Sequence, residues 1–203
     1  MPREQLVHVI EDDAIMRRSV AILLDAAGFA VRQYDDAKSL LDDLPRVNGD
    51  CVLADIKMPS IDGLEMLRRI RAAGSPVRVV MMTGHGDVAT AVRAMKLGAW
   101  DFIEKPFSAD ALLQAIRTAF IGEADGHAHN AETHIFLERL AQLSEREREV
   151  LHELLRGKTN KEIGRDLEIS PRTVETYRAK IMMKTLCESI PELVRVAVRA
   201  GLV

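Results

Sequence analysis

Five short runs, three of them mostly apolar and two weaker, each followed by a stretch with apolar residues at helical spacing, constrain the first part of this chain more than any other feature. The runs are Leu6–Ile10, Ala30–Tyr34, Val52–Asp55, Val77–Met82 and Asp101–Glu104. Between them, Met16, Val20, Leu23, Leu24 and Ala27 mark one helix that Gly28 stops, and Ala37–Leu44 a shorter one ended by Pro45. Asp62-Gly63 opens a third with Leu64, Leu67 and Ile70, and Val88–Leu97 is a fourth with Gly98 as its stop. Ser108 caps a fifth that carries Leu112, Leu113, Ile116 and Phe120 on one face. The apolar runs do not alternate with polar residues, as expected of strands covered on both faces. Strand and helix in alternation mean a parallel sheet with helices on both sides. The expected fold class is therefore α/β, a doubly wound five-stranded parallel sheet, followed by a small all-α domain.

In an open α/β sheet, ligands gather outside the C-terminal ends of the strands. Glu11, Asp12, Asp55, Thr83 and Lys105 each lie at or just beyond such an end. Three carboxylates close together repel unless a cation holds them, and an all-oxygen set selects a hard ion such as Mg²⁺. A lysine and a threonine at the same mouth can bind the oxygens of an anion. Together these groups suit phosphoryl transfer to an aspartate, a reaction governed by positioning and charge neutralisation. Turn-forming aspartates and a surface lysine would account for any one of these residues, but not for five at successive strand ends. His8, inside its strand, reads as a packed residue rather than a ligand.

The segments Ile10-Glu11-Asp12-Asp13, Asp55-Ile56-Lys57-Met58-Pro59, Asp62-Gly63, Thr83-Gly84-His85 and Lys105-Pro106-Phe107 resemble, in order and spacing, the receiver domain of two-component response regulators. The resemblance implies that Asp55 accepts a phosphoryl group from a sensor histidine kinase. It implies Mg²⁺ (or Mn²⁺) held by Asp12, helped by Glu11, Asp55 and the backbone carbonyl of Lys57. Thr83 would hydrogen-bond the phosphoryl group and Lys105 pair with it. Asp13 would line the site without ligating. Lys57 and His85 stand where the family varies the lifetime of the phosphate. Phe102 stands where the family places a switch aromatic, though a plain buried strand phenylalanine serves equally. The family often dimerises through the face of the fourth helix, fifth strand and fifth helix, where Arg93, Lys96 and Asp101 are candidates for charge pairs.

Gly122 to Glu132 is polar and small and marks a boundary. The expected domains are residues 1–121, a linker over 122–140 that is partly helical, and 141–203. His127, His129 and His134 have no cysteine beside them, and a linker makes a poor metal cage. Ile135, Leu137, Leu140 and Leu143 point to a helix leading into the next module.

That module begins with Ser144 and Glu147, a capping box, ahead of Val150, Leu151, Leu154 and Leu155. Thr159 and Glu162 repeat the device before Ile163 and Leu167, and Ser170-Pro171 opens a longer helix. Val174, Tyr177, Arg178 and Ile181 share one face of it, while Arg172, Glu175, Thr176, Ala179 and Met183 share the other. Two helices joined by a short turn, the second polar, form a helix-turn-helix that fits a DNA major groove. Charge agrees weakly. The chain carries −3 overall, yet residues 141–203 hold 12 Lys+Arg against 10 Asp+Glu. A small helical protein-binding module is the alternative reading. The stretches Leu143-Ser-Glu-Arg-Glu-Arg-Glu-Val-Leu and Ile169-Ser-Pro-Arg-Thr-Val-Glu-Thr-Tyr-Arg are similar to LuxR-type output domains. By that pattern Glu175, Thr176 and Ala179 face bases, and Asn160, Lys161, Arg172, Thr173, Arg178 and Lys180 face phosphates. Thr185-Leu186 departs from it, because an apolar residue usually follows the lysine equivalent to Lys184.

The whole resembles a FixJ-type response regulator. That implies a transcription regulator rather than an enzyme, with a sensor kinase, promoter DNA, a second copy of the chain and RNA polymerase as partners. Two rivals are a phosphate sink with a protein-binding appendage and a constitutive DNA binder that uses its receiver only to dimerise. Only Cys51 and Cys187 are present, no basic-plus-apolar leader begins the chain, and no apolar stretch approaches about 18 residues. A cytoplasmic location is the expectation.

Overall fold

The computed structural model describes residues 5–47, 50–84, 88–121, 135–187 and 190–202. The chain divides into two compact units, Met1–His85 with Leu97–Gly122, and Gly86–Lys96 with Glu123–Val203. The expected βα alternation is present: β1 (Leu6–Ile10), α1 (Ala14–Ala26), β2 (Ala30–Tyr34), α2 (Ala37–Asp43), β3 (Cys51–Asp55), α3 (Gly63–Ala72), β4 (Arg78–Thr83), α4 (Val88–Lys96), β5 (Asp101–Glu104) and α5 (Ala109–Ile121). All strand pairs are parallel, in the order β2-β1-β3-β4-β5. The order reverses beside β1, so the mouth of a crevice opens at the C-terminal ends of β1 and β3.

Every residue of β3 is buried. Its alternate side chains serve different layers. Cys51 and Leu53 join Val7, Val9, Val80, Met82 and Ile103 in a core packed by Val20 and Leu24 of α1 and Leu112, Ala115 and Ile116 of α5. Residues of the opposite parity, Ile10, Val52, Ala54, Val79 and Met81, are equally buried, as are Leu40 of α2 and Met66, Leu67 and Ile70 of α3. A fully buried leucine or isoleucine of this kind contributes roughly 1.5–3 kcal/mol.

His8 is packed, as its place in the strand predicts, but within a polar chain. Its Nδ1 shares a hydrogen bond of 3.0 Å with the Tyr34 hydroxyl and its Nε2 one of 3.2 Å with Asp50. The Tyr34 hydroxyl donates to Asp43 at 3.2 Å, and Arg32 lies 2.8 Å from the same carboxylate. Burial lowers the His8 pKa against the pull of Asp50, and burial raises that of Tyr34 to about 12.

The second part of the chain is helical: α6 (residues 135–141), α7 (Glu145–Leu155), α8 (Asn160–Asp166), α9 (Pro171–Thr185) and α10 (Ile190–Arg199). Both predicted capping boxes form, Ser144 with Glu147 and Thr159 with Glu162, and Ser170 caps α9 ahead of Pro171. The helix expected from Ile135, Leu137 and Leu140 forms as α6. Phe136 is buried at 3% exposure, while Ile135 and Leu137 stand 45% and 42% exposed. The turn from α8 to α9 needs Gly164, because a Cβ there would meet the Ile169 carbonyl oxygen at 2.7 Å. At the end of α9, Thr185 takes the buried place and satisfies its hydroxyl on the Ile181 carbonyl at 2.8 Å. Leu186 then adopts a left-handed conformation, φ 57°, and points outward. Among the described residues no helix is long and apolar enough to cross a membrane.

Candidate functional site

Parallel topology brings four of the five predicted residues to the ends of β1, β3 and β4, with Lys105 immediately after β5. Glu11, Asp12 and Asp55 each offer an oxygen, all within 4.8 Å of one another. Glu11 is 1% exposed and Asp55 8%, while Asp12 faces solvent, so the carboxylates run from the interior to the rim. Lys105 reaches both buried members, with Nζ 2.6 Å from Glu11 Oε2 and 3.1 Å from Asp55 Oδ2. Its backbone N–H donates to the Thr83 carbonyl at 2.7 Å, which fixes β5 against β4 where the lysine leaves the sheet. Thr83 is buried beside it in register with Glu104. The Asp55 end is held by the Ile56 N–H, which donates to the Met82 carbonyl at 3.0 Å.

The electrostatics are unbalanced. Burial pushes the Glu11 pKa up, and Lys105 only partly offsets it. The Lys105 pKa is raised although burial opposes it, because hydrogen bonds to Glu11 and Asp55 outweigh the loss of water. Three carboxylates and one ammonium leave two negative formal charges at one mouth. The donor set fits a divalent cation of the hard, oxygen-seeking kind.

Asp13 does not join the cluster. Its carboxylate caps α1, taking the N–H groups of Ile15 and Met16 at 2.8 and 3.0 Å, and those bonds lower its pKa. Lys57 lies exposed in the loop after β3, and its Nζ is the nearest atom, at 4.0 Å, to where a Cβ on Gly84 would stand. His85, His127, His129 and His134 lie outside the described residues. Phe102 is 4% exposed on β5, paired with Met81. Asp101, a candidate for a charge pair, is buried and accepts the Phe102 N–H at 2.9 Å.

Sequence reasoning missed Arg17. Its Nη1 donates to the backbone carbonyls of Glu11 at 2.6 Å and Asp12 at 3.3 Å. No side-chain pattern announces a residue that works through another residue's backbone.

The second candidate surface is α9. Arg172, Glu175, Thr176, Ala179, Lys180 and Met183 are exposed, and Val174 and Ile181 are buried, as the helical periodicity predicts. Arg178 turns back to Asn160 on α8, so two of the predicted phosphate-facing residues meet each other. Thr173 shares a hydrogen bond with the cap Ser170 at 2.8 Å, and Lys161 is exposed at the start of α8. Lys184 is drawn inward, with Nζ 2.7 Å from buried Glu147.

The model of the response regulator receiver domain matches residues 7–117, and that of the bacterial regulatory proteins of the luxR family matches residues 141–197. Transcriptional regulatory protein FixJ of Bradyrhizobium diazoefficiens is 48% identical over 97% of this chain and 96% of its own length. This chain belongs to the FixJ-type response regulators. FixJ of Rhizobium meliloti is 41% identical over 96% of each chain. The crystal structure of full-length FixJ from B. japonicum superposes with a TM-score of 0.57, at 48% identity and with 98% of each chain covered. This FixJ-type chain is thus a two-component transcriptional regulator with a LuxR-type DNA-binding output domain. The reading as a phosphate sink with a protein-binding appendage falls with that finding.

Proposed function

We propose that Asp55 is the phosphoacceptor of this regulator and that its esterification controls promoter binding. The observation that carries the proposal is the shared ammonium. Lys105 holds Asp55 and Glu11 together, with Asp12 alongside, so charge and geometry are prepared before any anion arrives. Asp12, Glu11 and Asp55, with the Lys57 carbonyl, would hold Mg²⁺ or Mn²⁺. When bound, such an ion screens the carboxylates from an incoming phosphoryl group. An Asp55 carboxylate oxygen attacks the phosphorus of a phosphohistidine on the sensor kinase. The P–N bond breaks, its electron pair stays on the histidine, and an acyl phosphate forms. Lys105 exchanges a carboxylate partner for a phosphoryl oxygen, and the Thr83 hydroxyl donates to another.

Thr83 and Phe102 are the residues we assign to the switch. The Phe102 ring is already buried, so phosphorylation is expected to lock that position rather than create it. We assign residues 1–121 to the receiver, 122–140 to the linker and 141–203 to the output domain, in the cytoplasm. Phosphorylated chains would dimerise through the receiver and place two α9 helices on a palindromic site, for recruitment of RNA polymerase. Glu175, Thr176 and Ala179 would meet base edges. Asn160, Lys161, Arg172, Thr173, Arg178 and Lys180 would meet phosphates.

Asp55→Asn tests the reading. Labelling by acetyl phosphate and Mg²⁺ is expected to vanish, and phosphodonor-stimulated promoter affinity with it, while the DNA affinity of both proteins falls steeply with salt. Equal promoter affinity in phosphorylated protein and variant would overturn the gating.

A further inference from the structure

We infer that Arg17 is a positioning residue for the cation site, setting its affinity by strapping the first turn of α1 to the acidic loop. Glu11 and Asp12 are consecutive, and both of their carbonyl oxygens accept from the same Nη1, at 2.6 and 3.3 Å. The next residue is tied to the same turn. The Asp13 carboxylate takes the Ile15 and Met16 N–H groups, and its carbonyl accepts the Arg17 N–H at 2.9 Å. Three successive residues are thereby fixed to α1. The Glu11 side chain is left to Lys105, and the exposed Asp12 side chain to the mouth. Arg18, the next basic residue, is exposed.

Charge and geometry pull in opposite directions here, which makes the inference testable by sign. A guanidinium beside a cation site repels the cation, though solvent and salt weaken the repulsion. The strap has the reverse effect, because ligands held in place lose less freedom on binding, and supporting partners of this kind are typically worth about 10–100-fold in metal affinity. If the strap dominates, removing Arg17 weakens binding. If charge dominates, removing it tightens binding.

The inference rests on the proposed reading of the Asp55 mouth as a cation site. The experiment uses the full chain and Mn²⁺ as the probe, with free Mn²⁺ read by electron paramagnetic resonance. Arg17→Met is expected to weaken Mn²⁺ binding on the order of tenfold. Arg17→Lys, which keeps the charge on a shorter side chain, is expected to lie between. At saturating Mg²⁺, labelling of Arg17→Met by acetyl phosphate should return to near the wild-type rate, so that the defect lies in metal half-saturation and not in the maximal rate. Equal or tighter Mn²⁺ binding in folded Arg17→Met overturns the inference. If that variant does not fold, unchanged affinity in Arg17→Lys overturns it instead. Wild-type protein that binds no Mn²⁺ would fail the proposed function itself, a different outcome from failure of Arg17 alone.

Discussion

Each half of this regulator contains a lysine paired with a buried glutamate, and the two pairs are nearly the same in geometry. Lys105 meets Glu11 at 2.6 Å, with side chains 21% and 2% exposed, and Lys184 meets Glu147 at 2.7 Å, with 33% and 5%. Their electrostatics differ in sign. The Glu147 pKa is lowered, by Lys184 first and then by the Ser144 N–H of its capping box. The Glu11 pKa is raised, because burial outweighs everything around it and Asp55 adds a like charge. Glu147 has the partners it needs, and its pair ties the start of α7 to the end of α9. Glu11 and its neighbours retain a deficit of positive charge. Distance alone does not separate these two pairs; the charges and donors around each carboxylate do.

The comparison can be broken in three ways. Mg²⁺ at a hundredfold excess over its Kd should stabilise the receiver against urea by about 2.7 kcal/mol and leave the output domain unmoved. A shift shared by both domains would place the cation elsewhere. Next, Lys105→Met and Lys184→Met should each cost about 2 kcal/mol in EDTA, since each strands a buried carboxylate. Mg²⁺ should restore the first loss and not the second, as read by paired denaturation curves. The smallest effect belongs to His8, faced by Asp50, Tyr34, Asp43 and Arg32. Its pKa is lower in the folded protein than in the unfolded chain. Its contribution is therefore present above about pH 6.5 and is lost as pH falls through the folded value. His8→Gln should flatten the decline in stability between neutral and mildly acid pH, with urea midpoints as the measure. An unaltered slope would return the polar chain to mere packing.

Much of the receiver was legible because topology does the assembling. Glu11, Asp12, Asp55, Thr83 and Lys105 sit at the ends of apolar runs, and parallel strands carry all such ends to one edge of the sheet. The caps of α7, α8 and α9 were legible for a different reason, since a helix cap is a local pattern within a single turn. The features that escaped the sequence act without a pattern. Arg17 holds carbonyls that every residue possesses. Lys184 lies in the last turn of α9, where its spacing is the same whether it turns to DNA or to Glu147. Phe136, which the pattern of Ile135, Leu137 and Leu140 did not single out, is the residue that α6 buries. Asp101 has the sequence signature of a surface charge, yet it is buried and its carboxylate accepts the Phe102 N–H.

Gly63 has a bearing on the proposed role of Asp55. A Cβ there would overlap the Asp55 carbonyl oxygen and lie 2.6 Å from the Met81 methyl, and the Gly63 N–H holds the Ile56 carbonyl at 2.9 Å. The first residue of α3 thus rests directly on the main chain of Asp55 and Ile56, with no intervening side chain to cushion it. A displacement of that main chain would therefore reach the start of α3 directly. The same closeness leaves this position little room for natural variation or engineering.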